Sequence, residues 1–147
     1  MRLLFLLAIF YTLSLGLDGV VVKVSDGDTI TVLDGLKTQH RVRLNGIDAP
    51  EKKQAYGHKA RQYLASLISG KNVHVIEHKN DRYGRIVGTV FIGDVDINEQ
   101  MVLAVYAWAY VKYDKKYKIY ELKAHEKNRG LWRDCNPIPP WEFRKNK

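Results

Sequence analysis

Alternation of apolar and polar residues between Val20 and Leu44, interrupted by two Asp-Gly pairs, constrains the fold of this 147-residue chain more than any other feature. A period of two is typical of half-buried β-strands. It predicts strands over residues 20–24, 29–33 and 38–44. Turns at Asp26-Gly27 and Asp34-Gly35 would join them. The first part of the chain is therefore expected to form a three-stranded β-meander.

The period of the apolar residues changes after Lys59. Between residues 60 and 68 they recur every three or four positions, which predicts an amphipathic helix that ends near Gly70. Alternation returns in residues 72–78 and 85–92, which predicts a fourth and a fifth strand.

Two more helices and a tail complete the predicted elements. Asn98 is a suitable cap for one helix, and the other is expected over residues 117–127. Residues 136–145 hold three of the four prolines and are expected to lack regular structure. Strands followed by helices in this order define an α+β domain. Five short strands with a helix between the third and the fourth favour an OB-fold, a five-stranded Greek-key β-barrel with three helices.

The N-terminus carries the pattern of a secretory signal peptide. Arg2 precedes an apolar run over residues 3–15, and the small residues Ser14 and Gly16 lie at the end of this run. We interpret residues 1–16 as a signal peptide and residues 17–147 as one exported domain, secreted or periplasmic. The run is shorter than the roughly 20 residues of a membrane-spanning helix. An uncleaved anchor that holds the domain at a membrane is the alternative.

Charge and cysteine content narrow the classes of partner. The formal net charge of +8 favours a polyanion such as nucleic acid, an anionic membrane or an acidic polysaccharide. Cys135 is the sole cysteine, so no intramolecular disulfide can form. We expect a monomer without an obligate protein partner.

The stretch "RLNGIDAPE" places charged residues at the end of an apolar strand. Arg43 and Asp48 are five positions apart, so a regular strand would put their side chains on opposite faces. They can share one site if the strand bends at Asn45-Gly46, where glycine tolerates a bulge. Glu51 follows closely, which makes this strand end a candidate site.

Two other stretches carry charged residues at predicted strand ends. Asp28 in "DGDT" begins a strand, where aspartate is disfavoured, whereas Asp26 and Gly27 are explained by the turn. In "NDRYGR", Arg82 and Arg85 flank a turn at Gly84. A hard divalent cation between carboxylates could bind a phosphate oxygen, and arginines could stabilise charge on the phosphate. Together these residues predict a phosphodiesterase.

An ordered set of motifs resembles the staphylococcal (thermonuclease-type) nuclease family. The set runs from about Val20 to Arg144 and comprises "DGDT", "VRLNGIDAPE", "DRYGR", "INEQMV" and "GLW…NPIPPWEFR". The resemblance implies an OB-type barrel and Ca²⁺-dependent hydrolysis of DNA and RNA to products with 3′-phosphates.

The resemblance also implies roles for individual residues. The Ca²⁺ ligands would be Asp28, Asp48 and the backbone carbonyl of Ala49. Catalysis at the scissile phosphate would involve Arg43, Arg85 and Glu51, the last as general base or as the group that positions water. The nucleotide would be bound by Asp81, Arg82, Tyr83 and Tyr113, with Tyr110 as the alternative stacking residue.

The sequence departs from the family pattern in three features, and two other functions are compatible with it. Ala49 stands where threonine is frequent, Arg82 where lysine is frequent, and the loop over residues 52–55 is short. A non-catalytic OB-fold module that binds nucleic acid is the first alternative to a nuclease. A basic domain held at an anionic membrane is the second, and it leaves the carboxylates unexplained.

Overall fold

Eight strands and four α-helices are present in the computed structural model, which describes residues 16–147. The strands are β1 (Gly16–Asp26), β2 (Thr29–Asp34), β3 (Gln39–Leu44), β4 (Ile47–Asp48), β5 (Asn72–Asn80), β6 (Ile86–Ile92), β7 (Val95–Asp96) and β8 (Trp108–Ala109). The helices are α1 (Gly57–Ile68), α2 (Ile97–Leu103), α3 (Lys118–His125) and α4 (Pro140–Phe143). Short 3₁₀ helices occupy Gly130–Arg133 and Arg144–Asn146.

The predicted signal peptide lies outside the described residues except for Gly16, the first residue of β1. Within residues 16–147, no helix is long and apolar enough to cross a membrane.

Five of the strands close into a mixed β-barrel in the order β3-β2-β1-β5-β6. The closing contact is a parallel pairing of β3 with β6, in which Val42 lies opposite Ile86 and Leu44 opposite Gly88. β1 is longer than predicted because its first half pairs with β5 and its second half with β2. Irregularities between Val21 and Lys23 and between Val24 and Asp26 let it curve between the two partners. The predicted α+β, OB-type barrel is confirmed.

The barrel interior is apolar and is covered by α1. Ala60, Leu64 and Ile68, on the predicted face of this helix, are 0% exposed. They join a core of β-branched and aliphatic side chains from every barrel strand, including Val21, Ile30, Val32, Val42, Val75 and Val90. A core built this way keeps the strand ends in fixed positions, which is what a site at the strand ends requires.

The cap of α2 differs from the predicted one. Asp96 is the N-cap residue, and its Oδ1 accepts a hydrogen bond from the Glu99 N–H at 3.0 Å. Asn98, the predicted cap, is 0% exposed and lies within the helix. Its Oδ1 accepts from the Val90 N–H, and its Nδ2 donates to the carbonyls of Gly88 and Asn45. A fully partnered buried amide thus ties α2 to β6 and to the bend after β3.

The tail is more regular than its prolines suggested, so that prediction was wrong. Pro139 is the N-cap residue of α4 and Pro140 is its first residue. The first helical position tolerates proline because the missing N–H would have no partner inside the helix. Trp141 then stacks on Tyr110 with ring centroids 5.1 Å apart, and Gln54 Nε2 donates to the Ile138 carbonyl at 2.7 Å. These contacts hold the C-terminal segment against the loop that contains Glu51.

Candidate active site

The predicted bend between Arg43 and Asp48 is present. β3 ends at Leu44, Gly46 adopts a φ of +73°, and β4 begins at Ile47. A side chain at Gly46 would be strained by that φ, and its Cβ would lie 2.9 Å from the buried Tyr117 ring. The bend reverses the alternation, so Arg43 and Asp48 face the same cleft.

Arg43 lies between two aspartates at this bend. Its Nη2 is 3.2 Å from Asp28 Oδ2 and 3.2 Å from Asp48 Oδ1. Its Nη1 donates to the carbonyls of Leu44 at 2.9 Å and Ile47 at 3.0 Å. These contacts use the planar geometry of the guanidinium, which a lysine ammonium cannot reproduce.

Several carboxylates are crowded around this arginine. Asp28 and Asp48 are buried, and Asp26 is half-buried beside Asp28. Burial, together with the negative charge of Asp28, raises the pKa of Asp26 to about 7. Burial also raises the pKa of Asp48, and the charge of Asp28 acts in the same direction, although hydrogen bonds from Arg144 oppose the shift. Burial is the main cause of both shifts, so a cation beside these carboxylates would favour their charged forms.

Ala49 and Glu51 follow directly on the bend. The Ala49 N–H donates to Asp28 Oδ2 at 2.7 Å, so the backbone of Ala49 lies against a predicted carboxylate ligand. The Glu51 N–H donates to Gln54 Oε1, and the Gln54 N–H returns a hydrogen bond to the Glu51 carbonyl. Gly57 packs against that carbonyl so closely that a Cβ would lie 2.0 Å from the oxygen. The short loop is thus built to fix Glu51 at the edge of the cleft.

The loop between β5 and β6 forms the facing side of the cleft. Asp81 Oδ1 accepts from the N–H groups of Tyr83 and Arg85, and Asp81 Oδ2 pairs with Arg85 Nε at 2.7 Å. Although burial opposes it, these hydrogen bonds hold the pKa of Asp81 below its usual value. The Asp81 side chain therefore organises its own turn and orients Arg85.

Exposed aromatic rings lie next to positively charged side chains near this loop. Tyr83 is 61% exposed, its hydroxyl accepts from Arg82 Nη2 at 2.7 Å, and Arg82 Cζ lies 4.8 Å from its ring centroid. Tyr113 is 57% exposed, and Lys79 Nζ lies 4.9 Å from its ring centroid. Tyr110 has one face covered by Trp141. Tyr113 is thus the more accessible of the two tyrosines proposed for stacking.

A cleft of about 740 Å³ brings most of the predicted residues together. Its lining includes Asp28, Arg43, Asp48, Glu51, Asp81, Arg82, Tyr83, Arg85, Tyr110 and Tyr113. Ala49 is buried behind it. In the structure Arg85 pairs with Asp81, while Arg43 pairs with Asp28 and Asp48, so each arginine is oriented by carboxylates of its own.

Arg144 is a cleft residue that sequence reasoning did not assign. Its Nη2 donates to Asp48 Oδ2 at 2.7 Å, and its Nη1 donates to Asp48 Oδ1 at 3.0 Å and to Glu51 Oε1 at 2.8 Å. The arginine belongs to the "PPWEFR" motif used for the resemblance, so the signal was present. The 96-residue separation from Asp48 concealed the contact.

The donor atoms suit a hard divalent cation. Carboxylates such as those of Asp28 and Asp48, together with a backbone carbonyl, are the kind of oxygen ligand that Ca²⁺ prefers, and water would complete its coordination. Among residues 16–147, no three His, Cys, Asp or Glu side chains converge as a metal centre. The predicted set needs two such side chains and the Ala49 carbonyl, and both carboxylates line the cleft.

Comparisons with known proteins agree with the geometry. A family model described as staphylococcal nuclease homologue matches residues 41–134. An uncharacterized endonuclease of Escherichia coli is 46% identical over 132 residues, which cover 88% of this chain and 86% of that protein. One of Haemophilus influenzae is 43% identical over 127 residues, 85% of this chain and 71% of that protein. A staphylococcal-like nuclease of Arabidopsis thaliana is 42% identical over 114 residues, 76% of this chain and 35% of that protein.

The chain folds into a closed barrel whose cleft is lined by carboxylates and arginines, and it is similar to endonucleases. Together these features define a hydrolase that acts on nucleic acid. The chain belongs to the staphylococcal nuclease family. The resemblance found in the motifs is therefore confirmed, and so is the prediction of a nuclease.

Proposed function

We propose that this nuclease is an exported, Ca²⁺-dependent enzyme that hydrolyses both DNA and RNA and leaves 3′-phosphate ends. The observation that carries the proposal is the position of Arg43 between Asp28 and Asp48, with Glu51 at the edge of the same cleft. A site for phosphodiester hydrolysis needs a cation site, a phosphate clamp and a group that handles water, and these residues supply each part.

Asp28, Asp48 and the Ala49 carbonyl would hold the cation. A bound Ca²⁺ would neutralise the carboxylates and polarise a phosphate oxygen, so that the negatively charged substrate could approach them. The buried position of Asp48 and the hydrogen bond between Ala49 and Asp28 fix these ligands in place.

Arg43 and Arg85 would bind the non-bridging oxygens of the scissile phosphate. A guanidinium can donate hydrogen bonds to such oxygens and stabilise the charge that develops on them during displacement. Arg43 is oriented by carbonyls and carboxylates, and Arg85 by Asp81. Both guanidinium groups are therefore pre-oriented before substrate binds.

Glu51 would orient the attacking water and accept its proton. The water oxygen forms a bond to phosphorus, the P–O5′ bond breaks, and the leaving O5′ takes up a proton. The phosphate stays on the 3′ oxygen. The side chain of Glu51 is 31% exposed, which leaves it accessible to water at the edge of the cleft.

Exposed rings and cations would bind the strand beside the scissile phosphate. Tyr113 with Lys79, and Tyr83 with Arg82, present aromatic faces next to positive charges. Stacking on such rings tolerates every base, and cations track the phosphates. This arrangement supports single-stranded segments of either DNA or RNA as substrate. Export rests on the apolar run over residues 3–15.

Digestion followed by analysis of the product ends tests the proposal. We expect the full chain to cut plasmid DNA and a single-stranded RNA with Ca²⁺, and excess chelator to abolish both reactions. Products should resist 3′-end extension until a phosphatase removes the terminal phosphate. Cutting that persists in chelator would contradict Ca²⁺ dependence, and products that are extended without phosphatase would contradict cleavage of the P–O5′ bond.

A further inference from the structure

The contact between Arg144 and the proposed cation site has a consequence for metal binding. Both carboxylate oxygens of Asp48 accept from guanidinium groups, Oδ1 from Arg43 and Arg144, and Oδ2 from Arg144. These contacts occupy three of the about four acceptor positions of the carboxylate, so a divalent cation at Asp48 would approach oxygens that already carry a guanidinium.

Of the two arginines, Arg144 is held by fewer neighbours. Arg43 is 15% exposed, bonds two backbone carbonyls and also pairs with Asp28. The side chain of Arg144 is 39% exposed, and its ion pairs within residues 16–147 are with Asp48 and Glu51. Displacing Arg43 would break its hydrogen bonds to the carbonyls on the two sides of the bend, whereas displacing Arg144 moves one half-exposed side chain.

The backbone near Arg144 is anchored independently of Asp48. Trp141 stacks on Tyr110 and packs edge-on against Trp108 with ring centroids 5.7 Å apart. Pro140 is buried, and Arg144 follows α4 directly. The guanidinium can therefore leave Asp48 while the backbone of Arg144 stays in place at the rim of the cleft.

We propose that Arg144 is an internal counter-ion of the cation site, which competes with the divalent cation for Asp48. The inference rests on the proposed cation site at Asp28 and Asp48. Cation binding releases Arg144 from Asp48, and by reciprocity the bound arginine weakens cation binding. The released guanidinium, still near Glu51, becomes a third arginine at the cleft for substrate phosphates.

Calorimetric titration of Ca²⁺ into the full chain tests this competition without an activity assay. We expect Arg144→Ala to bind Ca²⁺ about 10- to 100-fold more tightly than the unsubstituted protein, which corresponds to the loss of a charged hydrogen-bonded pair. Arg144→Lys, which keeps the charge but loses the two-pronged contact, should fall between them. Lys145→Ala is the matched control, because it removes one exposed positive charge next in the chain.

Thermal unfolding supplies a second readout that also monitors folding of the variants. Without metal, Arg144→Ala should have a lower Tm than the unsubstituted protein, because Asp48 loses a counter-ion. Saturating Ca²⁺ should shrink that difference, since Arg144 no longer contacts Asp48 in the metal-bound state.

The possible outcomes separate this inference from the proposed function. Unchanged or weaker Ca²⁺ binding by both Arg144 variants, beside clear binding by the unsubstituted protein, would overturn the competition and leave the cation site standing. Absence of Ca²⁺ binding in all four proteins would overturn the cation site and the competition with it. A gain in affinity matched by Lys145→Ala would show a general charge effect and would also overturn the competition.

Discussion

Arg43→Lys is expected to lower kcat by about 10²- to 10³-fold, the usual effect of removing one preorganised donor from a charged transition state. Lysine can keep one ion pair with an aspartate, but it cannot contact Asp28, Asp48 and two backbone carbonyls while also gripping a phosphate. The free energy of unfolding should fall by only about 1–2 kcal/mol. Steady-state cleavage of a labelled oligonucleotide at saturating Ca²⁺, with urea unfolding in parallel, measures both quantities.

Arg41→Lys is the matched control for this prediction. Arg41 lies on the same strand and is exposed, so the same exchange of guanidinium for ammonium should leave kcat nearly unchanged. Equal turnover in Arg43→Lys and in the unsubstituted enzyme would remove Arg43 from the catalytic machinery.

Glu51→Gln is expected to lower kcat by about 10²- to 10⁴-fold, the range associated with loss of a general acid or base. Glutamine preserves the shape and can still accept the hydrogen bond from Arg144, so the fold should be retained. It cannot take a proton from water. Single-turnover rates at saturating Ca²⁺ measure the effect, with Tm measured in parallel to monitor folding.

Glu126→Gln, which makes the same exchange at an exposed glutamate near the end of α3, controls for the loss of charge. Full turnover by Glu51→Gln together with a lower Tm would assign Glu51 a structural role, as the partner of Arg144.

The barrel strands and the bend were predictable because their causes are local. Alternation marks half-buried strands, and a glycine beside Asn45 marks the one place where Arg43 and Asp48 could be brought to the same face. The structure uses that glycine at positive φ, as the pattern indicated. Asp26 was also foreseen as a turn residue, and its Oδ1 does accept from the Asp28 N–H.

Contacts between distant segments were not predictable in the same way. Asparagine is a frequent helix cap, which is why Asn98 was assigned that role. Nothing near it in sequence reveals that its Nδ2 donates to the carbonyls of Gly88 and Asn45. The position of Arg144 depends on the tail, which was expected to be irregular. That expectation overlooked that proline is tolerated at the first position of a helix. The residues of the proposed cation site were therefore found by motif, but the contact of Arg144 with them was not.

In the proposed mechanism, phosphodiester hydrolysis requires a cation held by Asp28 and Asp48. The most direct test measures the cleavage rate against free Ca²⁺ for the unsubstituted enzyme and for Asp48→Asn. We expect the rate to rise saturably from a negligible value in chelator, and we expect the variant to need much higher Ca²⁺ and to reach a lower maximum. Cleavage by Asp48→Asn with the same Ca²⁺ dependence and maximum as the unsubstituted enzyme would contradict the claim.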